Sequence, residues 1–227
     1  MLVRNWMNPT VISIEAQASM ADALQLIKEN QIKTLPVFER GALVGVLTDR
    51  DLKRASASDA TLLEVHELLH LLTRIKVRDI MSRKPITIPD TYTIEEAAEV
   101  LHDHHISGAP VLDGKGRMVG IVTQQDLFKA LMSLLGVKRR GVHLAFEAED
   151  RPGSIKELAD IIRRYDGRLA SIVTSYDRAP QGYRHVYIRA YHLDRDRIPA
   201  MLEELRGAAR LLYLVDHREN RRELFAA

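Results

Sequence analysis

The sequence predicts an α/β (α+β) protein built from a β-α-β-β-α unit that occurs twice in pseudo-symmetric tandem, followed by one β-α-β-β-α-β unit. Three observations carry this. The chain matches itself at an offset of 74 residues, pairing Met7 with Met81, Ile12 with Ile86, Ile14 with Ile88, Ala23 with Ala97, Ile32 with Ile106, and Pro36-Val37 with Pro110-Val111. From Gly45 and Gly120 onward the offset becomes 75, pairing Thr48 with Thr123, Asp51 with Asp126 and Leu52 with Leu127. After Gly136-Val137-Lys138-Arg139-Arg140-Gly141 the repeat stops and a new alternation of strand and helix patterns begins.

In the first copy, alternating Val11-Ile12-Ser13-Ile14 predicts a short strand, and Ala21 to Asn30 carries apolar residues at helical spacing. Leu35 to Phe38 and Leu43 to Leu47 predict two strands around a turn at Arg40-Gly41, and a helix starts at Thr48. The second copy repeats this order as Ile86 to Ile88, Ile94 to His104, Ala109 to Leu112, Met118 to Val122 and Thr123 to about Leu135. One copy is too short to bury its own sheet, so the two are expected to pack as one domain over residues 1–136. Its parts are repeat one at about 1–55, a connecting helix at about 60–74, and repeat two at about 78–136.

The chain has 227 residues, is 46% hydrophobic and has a formal net charge of +2. That near balance gives no electrostatic case for nucleic acid or an anionic membrane as partner. The absence of cysteine removes disulfides, thiolate catalysis and Cys-based metal sites. The first twenty residues lack a continuous apolar core and no run approaches a membrane span, so a cytoplasmic protein is expected.

One motif tests this picture. Residues 66–70 read H-E-L-L-H, the spacing of a zinc metallopeptidase, with Glu95, Glu96 and Glu99 as candidates for a third ligand. Those glutamates already have a place in the second repeat, and Leu62, Val65, Leu69 and Leu72 form an apolar helical stripe. We therefore read the segment as the connecting helix and expect no metal, no catalytic residues and no enzyme. His102, His104 and His105 are read in the same way, as residues suited to a helix end.

The copies agree best at GVLTDRDL (residues 45–52) and GIVTQQDL (residues 120–127). In each, a strand ends in Thr and a helix opens with Asp three residues later. This spacing fits an N-cap whose acid favours the helix dipole. It equally fits a nucleotide site, with backbone N–H groups and the Thr hydroxyl for a phosphate and the Asp for ribose hydroxyls. Arg50 in the first copy is Gln125 in the second. Beside a phosphate this would make the first site more tolerant of charge, with Lys33 adding to it; otherwise Arg50 is simply solvated.

Two G-h-h-T-x-x-D-L patterns (h apolar), each preceded by a segment of H-x-I-S-G-A-P-V type, resemble a pair of CBS domains. The second copy, His104 to Leu127, is the fuller match; the first departs at Lys33-Thr34-Leu35. The resemblance implies adenosine-type ligands (AMP, ADP, ATP or S-adenosylmethionine) bound in clefts between the repeats, with no cofactor in the catalytic sense. Carried onto this sequence, the site residues are Lys33, Thr34, Pro36, Thr48, Arg50 and Asp51, then Ile106, Ser107, Gly108, Ala109 and Pro110, and Thr123, Gln124 and Asp126.

Residues 137–141 read as a solvated linker. Strands at Val142 to Phe146, Leu169 to Tyr176, His185 to His192 and Leu211 to Val215, with helices at Ser154 to Tyr165 and Ile198 to Arg206, give the ferredoxin-like order over residues 142–217, leaving 218–227 as a tail. A strand followed by Asp150-Arg151-Pro152-Gly153 at a turn opening a helix resembles an ACT domain, which implies an amino-acid site at Asp150, Arg151, Pro152, Gly153, Ser154 and Ile155. Proline suits the approach to a helix and glycine leaves room for a ligand. The combination of a CBS pair and an ACT domain resembles the acetoin-utilisation (AcuB-like) group. It implies a homodimeric, non-catalytic regulator that senses nucleotide, and an amino acid in addition, to modulate an unidentified protein. The alternatives are the zinc peptidase and a purely structural dimerisation module.

Overall fold

A computed structural model describes residues 1–59 and 72–225. The proposed H-E-L-L-H segment lies outside the described residues; residues 72–74, which follow it, are helical. The chain divides into two compact units, residues 1–130 and 131–227. The division falls in the last helix of the second repeat, ahead of the glycine-bracketed stretch where the sequence placed it.

In the first repeat β1 (Ile14–Glu15), α1 (Met20–Asn30), β2 (Thr34–Glu39), β3 (Ala42–Thr48) and α2 (Asp49–Asp59) follow in order. A short helix α3 (Val77–Ile80) and β4 (Ser82–Arg83) lead into the second repeat: β5 (Ile88–Pro89), α4 (Ile94–Asp103), β6 (Gly108–Leu112), β7 (Met118–Thr123) and α5 (Gln124–Leu134). Both copies pair their first strand in parallel with the next at equivalent residues, Ile14 with Val37 and Ile88 with Val111. Both open their first helix with a full capping box, Ser19 with Asp22 and Thr93 with Glu96, each worth about 1 kcal/mol. The change of offset is a turn difference. Between the pairs Phe38–Leu43 and Leu112–Met118 lie four and five residues respectively. The shorter turn has positive φ at Arg40 and Gly41, as a two-residue hairpin with the right twist requires.

The repeats exchange their leading segments. Val3, from a 3-10 turn at the start of the chain, is buried in the core of the second repeat with Ile88, Ile94 and Leu101, while Val77 is buried in the core of the first with Met20, Leu35 and Leu52. Leu2 bridges to Thr93 and Lys76 to Ser19; Asn8 bridges to Ile121, and Ser82 pairs with Val46. Glycine is required at the crossings. A Cβ on Gly45 would lie 2.5 Å from Met81 Sδ, and one on Gly120 would lie 2.6 Å from Met7 Sδ and 3.0 Å from the Asn8 carbonyl. Gly120→Ala should therefore cost about 1–3 kcal/mol, read as a lowered midpoint in denaturant unfolding followed by the Trp6 fluorescence.

The second unit contains β8 (Val142–Glu149), α6 (Ser154–Arg164), β9 (Arg168–Ser175), β10 (Tyr183–Tyr191), α7 (Ile198–Ala208), β11 (Arg210–Asp216) and β12 (Arg221–Leu224). Its sheet order is β12-β11-β8-β10-β9, antiparallel throughout. The four expected strands thus take the ferredoxin-like arrangement. The segment read as a tail supplies an added edge strand, because Arg221 to Leu224 pairs with Asp216 to Tyr213. Val142, Leu144, Phe146 and Ala148 alternate into a core with Val186 and Ile188 of β10, Leu158 and Ile162 of α6, and Met201 and Leu205 of α7. The intervening residues, among them His143, Tyr187, Arg189 and Tyr213, point to the opposite face.

Candidate functional site

Two clefts of about 640 Å³ each lie in the first unit. The first joins Thr48, Asp49, Arg50, Asp51 and Arg54 to Lys33-Thr34 and to His105 through Gly108 of the other repeat, with Ser82 and Lys84 to Ile86 at its edge. The second joins Thr123 through Asp126, Phe128 and Lys129 to Gln31 through Thr34 and to the crossing segment Trp6 to Thr10. Lys33, Thr34, Ser107 and Gln124 line both.

The octapeptides are built alike. Thr48 N and Oγ1 both donate to Asp51 Oδ2, at 3.0 and 2.7 Å, and the Asp51 N–H returns a bond to the hydroxyl at 3.3 Å. Thr123 and Asp126 repeat this at 3.0, 2.7 and 3.4 Å. Both carboxylates are buried, 6% and 8% exposed, so their orientation is set by the fold. The helix-cap role is thus realised, which changes how a ligand could be held. The Thr hydroxyl proton goes to the Asp, and the first helical N–H groups, of Asp49 and Gln124, donate to the carbonyls of Lys33 and Ser107 at 3.1 and 3.0 Å. Among the described residues the N–H groups of Arg50 and Gln125 have no partner and remain for an incoming oxygen. The Oδ1 atoms face cations, Arg54 at 2.9 Å and Lys129 at 3.2 Å. With spare lone pairs there, Oδ1 is the atom that can accept from ribose hydroxyls.

The clefts differ in charge. The first carries Lys33, Arg50, Arg54 and Lys84 against Asp49 and Asp51; the second carries Lys33 and Lys129 against Asp126, with Trp6 and Phe128 on its wall. Lys33, Arg50 and Lys84 have no ion-pair partner among the described residues. Of the residues expected at the sites, Lys33, Thr34, Thr48, Arg50, Asp51, Ile106, Ser107, Gly108, Thr123, Gln124 and Asp126 line one or both clefts. Pro36, Ala109 and Pro110 do not: they are buried within β2 and β6, beyond the strand ends that open onto the clefts. Sequence reasoning missed the crossing segments, although the Met7–Met81 match was their signal, and it missed Arg54 and Lys129, one helical turn beyond each Asp. Among the described residues no group of three or more His, Asp or Glu side chains is placed to hold a metal ion.

The CBS domain family model matches residues 3–58 and 77–133. A CBS domain-containing protein of Dictyostelium discoideum is 36% identical over 135 residues, spanning 59% of this chain and 93% of its own. The chain belongs to the CBS-domain family. The crystal structure of the CBS-pair protein CBSX2 from Arabidopsis thaliana superposes with a TM-score of 0.50 at 28% identity, covering 61% of this chain and 96% of that one. An inosine-5'-monophosphate dehydrogenase of Korarchaeum cryptofilum is 32% identical over 118 residues, which span 52% of this chain and 22% of the enzyme. That shared stretch is too small a part of the enzyme to carry its activity over to the CBS pair.

In the second unit the loop Asp150 to Gly153 joins β8 to α6. Gly153 has a φ of 90°, a conformation glycine alone adopts at no steric cost, and precedes the first residue of the helix. Ser154 is buried and its Oγ accepts from Arg184 at 3.0 Å; Asp150 lies 3.6 Å from the same guanidinium and 3.4 Å from the Tyr176 hydroxyl. Arg151 turns away to Glu149 and Glu157, at 3.1 and 2.8 Å. The structure therefore gathers Asp150 and Ser154 around Arg184 and Tyr176, two residues outside the sequence motif, while Arg151 and Pro152 stay exposed. No described helix is long and apolar enough to cross a membrane.

Proposed function

We propose that the protein is a non-catalytic cytoplasmic regulator whose CBS pair, residues 1–136, senses adenosine nucleotides. One observation carries this reading: two clefts of equal volume, each with a buried aspartate whose Oδ1 is available and a free helix-start N–H beside it. Asp51 and Asp126 accept the ribose hydroxyls. The phosphates lie against Arg50 or Gln125 at the helix start, where the dipole favours an anion. The cleft at Thr48 and Asp51, with three cations lacking ion-pair partners, takes the more highly charged nucleotide; that at Thr123 and Asp126, with aromatic walls, takes a ligand of lower charge such as AMP or S-adenosylmethionine.

We assign residues 137–141 to a linker and 142–217 to an ACT domain extended by β12, with Asp150 to Ile155 as its amino-acid site. A homodimer of the acetoin-utilisation (AcuB-like) type, modulating an unidentified protein, completes the reading. Leu131, Met132 and Leu134, which are exposed, supply apolar surface for such association. Regulation requires that the ligand bind two packing states of the pair with different affinity.

The test is calorimetric titration with AMP, ADP, ATP and S-adenosylmethionine. Asp51→Ala should weaken ATP binding by about a hundredfold or more and leave the other cleft intact, and Asp126→Ala should do the converse, since two hydrogen bonds to a charged group are lost, each worth about 1.5–3 kcal/mol. Absence of saturable binding by all four in folded protein would refute the sensor reading.

A further inference from the structure

We propose that the face of the second unit's sheet opposite α6 and α7 holds an oxyanion-binding site centred on Arg189, with His143, Tyr213 and His217 around it. The ligand class is a carboxylate or phosphate group small enough to meet one guanidinium. The site is separate from the CBS clefts, and it lies at the end of the sheet opposite the Asp150 turn.

Arg189 carries an uncompensated charge. Arg189 is 8% exposed, its Nε is buried without a hydrogen-bond partner, and among the described residues the guanidinium makes no ion pair. An arginine in that state is costly, because its buried Nε–H has left water without an acceptor to replace it. The cross-strand partners of Arg189 are His143 on β8 and Ser171 on β9, neither an anion. His143 in turn contacts the rings of Tyr213 and Tyr187, with centroids 5.6 and 6.4 Å away. The carboxylates at hand are engaged elsewhere. Glu147, toward the other end of β8, is held by Arg210 at 3.2 Å and His185 at 3.8 Å, and Asp216 is held by Arg195 at 3.3 Å and the N–H of Arg218 at 2.8 Å.

Titration behaviour agrees with an excess of positive charge. Burial, then Arg189, then His217 push His143 down to about 4, and burial followed by Arg189 and Arg222 lowers His217 in spite of the neighbouring Asp216. The groups facing His143 are thus Tyr187 and Arg189 from β10, Tyr213 from β11 and His217 beyond it. A bound oxyanion would reverse the balance. A guanidinium presents parallel N–H donors that match a carboxylate or phosphate edge, and the Tyr213 hydroxyl and a histidine N–H can donate to the remaining lone pairs.

The test uses the full chain with isotopically labelled histidine, titrated by NMR with inorganic phosphate and, separately, acetate. Saturable shifts of His143 and His217 are expected, together with a rise in the His143 pKa from about 4 in the presence of phosphate, since an adjacent anion stabilises imidazolium. Arg189→Gln should weaken binding roughly tenfold or more, and Arg189→Lys should retain part of it. Self-association that phosphate competes away and Arg189→Gln abolishes would place the carboxylate on a second copy of the chain; binding without association would place it on a free small molecule. An unshifted His143 in wild-type protein, with no saturable perturbation by either anion, overturns the proposal whether or not the variants fold. Equal binding by folded Arg189→Gln does the same.

Discussion

Gly141→Ala is expected to destabilise the second unit by about 3 kcal/mol, the upper range for overpacking. A Cβ at this buried position would lie 2.1 Å from the Ala190 carbonyl oxygen and 3.0 Å from Tyr191 Cα, both part of the β10 backbone. No side chain can rotate away to make room. The strands are also locked on either side: Val142 pairs with both Ala190 and Asp216, and the Gly141 carbonyl accepts from the His217 N–H at 3.0 Å. The strain therefore spreads into β8, β10 and β11 together. Hydrogen exchange should show faster opening of these strands with the CBS pair unchanged. Gly207→Ala is the control: nothing lies within 4 Å of its Cβ and it sits in α7, so a gain of about 0.5 kcal/mol is expected. Equal stability of Gly141→Ala and wild type would show that the crossing is looser than its geometry.

The second large effect is a loss of stability in acid. His143 has a folded pKa of about 4, caused first by burial and then by Arg189 and His217, against an ordinary value of 6.5. The folded state thus resists a proton that the unfolded chain accepts. The stabilising contribution is complete above about pH 6.5 and is lost as the pH falls toward about 4. Between pH 7 and pH 5 this one group accounts for up to about 2 kcal/mol. His217, lowered for similar reasons, acts in the same direction. Thermal melting of the second unit in phosphate-free buffer should show the slope, and His143→Gln should remove most of it. A variant with an unchanged slope would assign the acid sensitivity to other groups.

Much of the architecture was legible because it rests on local rules. The repeat was visible because equivalent residues face equivalent neighbours. Ile14 and Ile88 pair with Val37 and Val111, and the same caps open α1 and α4. The edge strand β12 was not legible: Arg221-Arg222-Glu223-Leu224 has no apolar alternation, and it pairs through backbone bonds to β11. The crossing segments were missed for a related reason. A match such as Met7 with Met81 shows that two residues do the same job but not which copy each one packs against.

The sequence by itself determined the repeated unit, the strand and helix order of both units apart from α3, β4 and β12, and the Thr and Asp positions that mark the candidate clefts, since periodicity, capping and turn chemistry act over a few residues. Tertiary structure alone decided that each leading segment packs on the opposite repeat, and that Thr48 and Asp51 share a cleft with His105 to Gly108. It also decided that Arg189 is buried without an anion. Each of these depends on which distant groups meet and how much water they lose on meeting, and no local pattern records that.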